Sequence, residues 1–139
     1  MIFGREAELE LKKKHEERAL EGTEKQVKWA NDILDTLERC KDTAKKVYPL
    51  MQEKKAKNEK QEAIKKIALD TTELIIEGAE KALELKSAKE IIKLYTDNRY
   101  KDWEYYLCCA KMANKDVDEE HVSRASIVIH KVMRSLGED

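Results

Sequence analysis

Proline occurs once in the 139 residues, phenylalanine once and glycine four times, and aromatic side chains make up 6% of the chain. A β-sandwich or barrel needs a turn about every ten residues, and so few turn formers cannot supply them. Long apolar runs are missing too. The best are Leu74-Ile75-Ile76 and Ile127-Val128-Ile129. Neither approaches the length of a membrane-spanning helix. Charge of one sign is not in excess: 28 basic side chains face 29 acidic ones, for a net charge of −1. That balance removes bulk attraction to nucleic acid or an anionic membrane. The first residues, Met1 to Arg5, reach a charge before any apolar signal core, so a cytoplasmic protein with no membrane partner is expected. Cys40, Cys108 and Cys109 are odd in number and lack CxxC spacing, which points to free thiols.

What remains is helix-forming. Ala, Glu, Lys, Leu and Arg account for 74 of the 139 residues, a bias typical of long helices. At this length one folded unit is expected. The predicted fold is all-α: a bundle of five to six helices with one long antiparallel pair and no strands. Residues 1–22 read as a charged N-terminal helical arm, and 23–139 as a single bundle domain.

Local signals divide the chain. Between Arg5 and Leu20 the apolar positions are too sparse for a stripe, which predicts a loosely docked arm. Thr23-Glu24-Lys25-Gln26 is a capping box that opens the next helix. From there Val27, Ala30, Leu34, Leu37, Lys41, Ala44, Tyr48 and Met51 keep an a/d rhythm. Pro49, with no N–H, is expected to end or kink that helix near Val47. The polar stretch Gln52 to Gln61 reads as a solvated helical extension or a connection.

Between Ile64 and Leu85, a rotation of about 100° per residue separates two faces. Ile64, Ala68, Thr71, Ile75, Gly78 and Ala82 form a core side. Asp70, Glu73, Glu77, Glu80 and Glu84 form an acidic ridge opposite it. Gly78 on the core side predicts a neighbouring helix in close approach. Ser87 to Glu90 is a second capping box. Asn98 is a terminator, Asp102 a cap for the following helix, and Asn114 to Asp118 a polar break. The last helix directs Val122, Ala125, Ile129, Val132, Met133 and Leu136 inward and stops at Gly137.

Few of these residues carry chemistry. Cys108, Cys109, His121 and His130 lack the paired spacing of a zinc site. The single Asp118-x-x-His121 lacks the second motif of a di-iron bundle. No metal and no cofactor are therefore expected. G-x-S-x-G, P-loop and G-x-G-x-x-G patterns are missing as well. The five ridge carboxylates extend about 21 Å along a helix, which suits either a solvated face or a surface that imitates nucleic-acid phosphates for a basic groove. Ten Lys or Arg lie between Arg39 and Lys66, diluted by Glu53, Glu59 and Glu62. Lys54, Lys55, Lys57 and Lys60 are the candidate nucleic-acid contacts among them. Trp29, Tyr95, Trp103 and Tyr105 are candidates for an aromatic interface, because Trp and Tyr dominate binding hot spots. The seam from Val27 to Met51 would also allow a homo-oligomer about a two-fold axis.

Two stretches carry a family resemblance. Thr23-Glu-Lys-Gln-Val-Lys-Trp-Ala-Asn-Asp-Ile33 resembles a TEKQxxWAxxI segment of small, mostly uncharacterised proteins of bacterial phages and conjugative elements. Lys93-Leu-Tyr-Thr-Asp-Asn-Arg99 resembles their later KWWIDNR-like segment, with Leu94, Tyr95 and Thr96 where that pattern favours Trp, Trp and Ile. The resemblance implies a mobile genetic element in a bacterial host cytoplasm, and no catalytic residue. Small helical proteins of that setting often act stoichiometrically on host machinery, including as inhibitors of CRISPR-Cas and other defence systems. The function expected is thus non-enzymatic: binding, and inhibiting or modulating, a host or element-encoded complex that handles nucleic acid or defends the cell. A nucleic-acid-binding accessory protein using residues 39–66 is the alternative, and a thiol or metal-dependent enzyme the third reading.

Overall fold

A computed structural model describes residues 2–98 and 103–137, with the side chains of residues 2 and 3 left aside. Six helices account for nearly all of it: α1 (Ile2–Arg18), α2 (Glu24–Glu53), α3 (Glu59–Leu83), α4 (Ala88–Thr96), α5 (Glu104–Ala113) and α6 (Glu119–Ser135). Among the described residues there is no strand, only an isolated parallel bridge between Glu21 and Ser87.

The capping box at Thr23 forms as its residues require. The Thr23 hydroxyl accepts from the Gln26 N–H at 3.2 Å, and the Gln26 side chain accepts from the Thr23 N–H at 3.1 Å. At Ser87 only the first half of a box forms, with the hydroxyl accepting from Glu90 N–H at 3.3 Å. Asn58 caps α3 through Gln61 N–H, and Asp118 caps α6 through Glu120 N–H. The Asn98 amide closes α4 by donating to the Leu94 carbonyl at 2.9 Å. The expected Asp102 cap lies outside the described residues, and Trp103 holds the N-cap position of α5 without a side-chain bond.

Pro49 does not end α2. The helix continues to Glu53, because Val47 and Met51 on either side of the proline are buried and Leu50 packs against the core. A proline costs one N–H donor, and burial of its neighbours outweighs that loss. The connection to α3 is consequently short, 54–58, and the two longest helices run antiparallel. Lys45 meets Glu80, Tyr48 meets Glu73, and the Thr72 hydroxyl, which donates to the Ala68 carbonyl at 2.6 Å, lies 3.9 Å from the Met51 sulfur.

The core is the convergence of apolar faces. From α2 come Ala30, Ile33, Leu34, Leu37, Ala44, Val47 and Met51; from α3, Ala68, Ile75, Ala79 and Ala82. Ala88 and Ile91 of α4, Leu107 to Ala110 of α5 and Val122, Ala125, Ile129 and Val132 of α6 complete it. The a/d seam of α2 is therefore covered by the chain's own helices. Leu136, expected inward, is 43% exposed, since α6 ends at Ser135 before the face is repeated.

Gly78 sits where α3 crosses α5. A Cβ built there would overlap the Cys109 carbonyl oxygen, and would lie 2.6 Å from its carbon and 3.1 Å from the Ala113 nitrogen. Backbone meets backbone at this point, which only glycine permits.

Candidate interaction surfaces

The acidic ridge is where the spacing puts it. Asp70, Glu73, Glu77, Glu80 and Glu84 are all exposed, while Thr71, Ile75, Gly78 and Ala82 on the other side of the helix are buried. Its middle is partly answered from within. Glu73 accepts a hydrogen bond from the Tyr48 hydroxyl, Glu80 pairs with Lys45 at 3.3 Å, and Glu77 pairs with Lys81 at 3.3 Å. The hydrogen bond to Glu73 raises the Tyr48 pKa above the ordinary phenol value, since the neutral hydroxyl is the donor.

The aromatic candidates converge from three helices. Trp29 of α2 meets Tyr95 of α4 edge to face, with ring centroids 6.5 Å apart and planes at 77°. Tyr95 in turn stacks on Tyr105 of α5 at 5.3 Å and 23°, and its hydroxyl donates to Glu104 at 3.0 Å. Desolvation is the first cause that holds the Tyr95 phenol neutral well above its ordinary range. Such ring pairs contribute about 0.5–1.5 kcal/mol beyond burial. Trp29 nevertheless remains 42% exposed. Trp103 packs half-buried against the core and belongs to the hub more than to the surface. Trp29 and Tyr95 also belong to the two familiar segments, so the TEKQ-type helix start and the Lys93 to Asn98 stretch are spatial neighbours; Arg99 lies outside the described residues.

The lysines of the connection separate. Lys54, Lys55 and Lys57 line a cavity of about 400 Å³, whereas Lys60 is exposed beyond its rim. Sequence spacing did not bring in Lys131, which reaches the same cavity from α6.

The thiols are poor nucleophiles here. Burial pushes Cys40 and Cys108 up to about 12 and Cys109 well above its ordinary value, so each is a neutral thiol at physiological pH. The Cys108 thiol donates to the Leu94 carbonyl at 3.5 Å. His121 approaches Asp118 at 3.6 Å, and His130 lies edge-on to Tyr106. Among the described residues, no three or more His, Cys, Asp or Glu side chains are grouped to hold a metal ion.

One buried polar cluster escaped the sequence reading. Arg18, 9% exposed, inserts its guanidinium among Asn31, Asp35 and Glu38 of α2. Nη1 donates to the Asn31 side-chain oxygen at 3.0 Å and to its carbonyl at 3.2 Å, and lies 2.9 Å from Asp35 Oδ1. That oxygen meets no donor at hydrogen-bonding geometry, so the Asp35 contact is Coulombic. His15 reaches the other Asp35 oxygen at 2.7 Å, and Lys14 binds Glu38. The Arg18 carbonyl accepts from Lys86 at 3.1 Å. A stripe of Asn31, Asp35 and Glu38 at spacings of four and three, beside the apolar seam, was the available signal.

Comparisons with protein-family models, curated proteins and solved structures each returned no match. No helix is long and apolar enough to cross a membrane among the described residues.

Proposed function

We propose that this chain is a non-enzymatic interaction protein of a bacterial mobile genetic element, acting in the host cytoplasm. It binds a host complex that handles nucleic acid or defends the cell and inhibits or modulates it, in the manner of anti-CRISPR proteins. The observation that supports this reading is the Trp29, Tyr95 and Tyr105 cluster. It joins the two segments that carry the family resemblance, and it leaves a tryptophan partly in water, where exposed aromatic area is available to a partner. The Asp70 to Glu84 ridge is the second contact surface in this reading, with its unburied carboxylates facing a basic groove.

The test is affinity capture from bacterial lysate, with and without nuclease, followed by identification of the bound proteins. Trp29→Ala is expected to lose a defined protein complex by tenfold or more, a change of about 1.4 kcal/mol. Charge reversal at Glu73, Glu77 and Glu80 is expected to weaken the same capture. Recovery that depends on nucleic acid, or that survives both changes, would sink the proposal.

A further inference from the structure

The cavity at the far end of α2 combines an apolar floor with a rim of one charge sign. The floor is aliphatic: Met51, Ile64, Ala68, Val128 and Val132 come from α2, α3 and α6. The rim is cationic, with Lys54, Lys55 and Lys57 on the connection, Lys65 on α3 and Lys131 on α6. No carboxylate of the described residues lines it. The remaining polar group, Gln61, is engaged, since its side-chain oxygen accepts from Lys57 N–H at 2.8 Å. Lys65 is held at the mouth by donating to the Gln52 carbonyl at 2.9 Å.

Some lysines of this protein meet acids and others do not. Lys45 pairs with Glu80, Lys81 with Glu77, and Lys111 with Glu119. Lys54, Lys55, Lys57 and Lys131 make no ion pair among the described residues, although acids are plentiful in the chain. Glu59 and Glu62, close in sequence, line a neighbouring hollow beside Tyr48 that shares Lys65 with this rim. Five like charges around one opening repel each other, and an anion placed between them removes that cost.

The shape and chemistry select the occupant. A volume of about 400 Å³ lies within the usual range for ligand pockets. Its aliphatic floor accepts an apolar group but offers no ring on which a nucleobase could stack. A fatty carboxylate would bring one charge to five cations that are spread over three elements. A peptide brings several carboxylates at separate points along one backbone, with an apolar side chain between them to enter the floor. We infer that this cavity docks an acidic peptide segment carrying a single apolar anchor. The site is independent of the Trp29 cluster, because Trp29 and Met51 lie near opposite ends of the long helix α2.

Fluorescence anisotropy with the full chain tests it. The probe is a labelled peptide of glutamates flanking one leucine, compared with the same peptide carrying serine and with labelled oligothymidylate. The leucine peptide is expected to bind about tenfold more tightly than the serine version, and Lys54→Glu with Lys131→Glu together should weaken it by about tenfold or more. Both side chains are exposed, so the helical circular dichroism and melting temperature of the double variant should match the parent. Lys60→Glu, outside the lining, should change binding less than about twofold. Equal binding of the two peptides, tighter binding of oligothymidylate, equal losses from Lys60→Glu and the double variant, or no peptide binding would each overturn the inference.

Discussion

The crossing of α3 and α5 and the junction of α1 with α2 hold the protein together by opposite means. At the crossing, Gly78 lets two backbones touch, and the surrounding positions are buried Ala, Ile, Leu and Cys. At the junction, Arg18 is surrounded by Asn31, Asp35 and Glu38, and little apolar area is shared; Leu9 and Leu11 of α1 stay exposed at 59% and 43%. Dispersion and burial depend on shape and hardly on salt or charge state. A clamp of charges depends on both, since its desolvation cost is repaid only while every partner is present. The first contact is therefore built to be permanent. The second is expected to open more readily than the core.

The largest effect should come from the crossing. Gly78→Ala forces a methyl onto the Cys109 carbonyl, where no rotamer can avoid backbone. The cost should exceed about 3 kcal/mol. For a chain of this size that lowers the melting temperature by roughly 10 °C or more. A melting temperature within a few degrees of the parent would show that the crossing is looser than described.

Alkali should act on the same place next. Cys108 titrates at about 12 in the folded chain against an ordinary 9.0, Cys40 likewise, and Cys109 is raised well above that value by its burial. Above about pH 9 the unfolded chain releases thiol protons that the folded chain retains, so stability must fall as the pH rises toward the folded-state values. At lower pH this contribution is constant. Urea melts across that range should show the slope, and Cys108→Ala with Cys109→Ala should flatten it; an unaltered slope would assign the loss to other groups.

A smaller change is expected at the clamp. Arg18→Met leaves Asp35 and Glu38 without their shared cation, but both retain some solvent, which reduces the penalty to about 1–2 kcal/mol. The loss should appear as faster hydrogen exchange in α1 and leave the amides of α3 and α5 protected. Added salt at about 1 M should move the parent in the same direction. If Arg18→Met lowered protection throughout the bundle, the two regions would not be separable.

The sequence was most legible where one helix reports its own surroundings. The angular separation of Ile75, Gly78 and Ala82 from Glu73, Glu77 and Glu80 predicts buried and exposed faces that the fold keeps. Thr23 and Gln26 announce a helix start because a capping box acts within a single turn. Pro49 does not stop its helix: its local cost is visible in the sequence, and the compensating burial of Val47 and Met51 against another helix is not. Arg18 reads as one more charge in a charged arm until Asp35 and Glu38, a helix away, are placed around it. The acidic and basic regions do answer each other, at Lys45 with Glu80, but only over part of the ridge.

An all-α chain, the helix starts at Thr23, Ser87 and Asp118 and the two faces of its third helix followed from the sequence alone, because helical periodicity and caps act over a few neighbours. Tertiary structure decided which distant residues share a surface. It joined Trp29 to Tyr95, carried Lys131 to Lys54, and left Lys60 apart. Those pairings depend on how helices cross, and a crossing is set by the side chains of both partners at once.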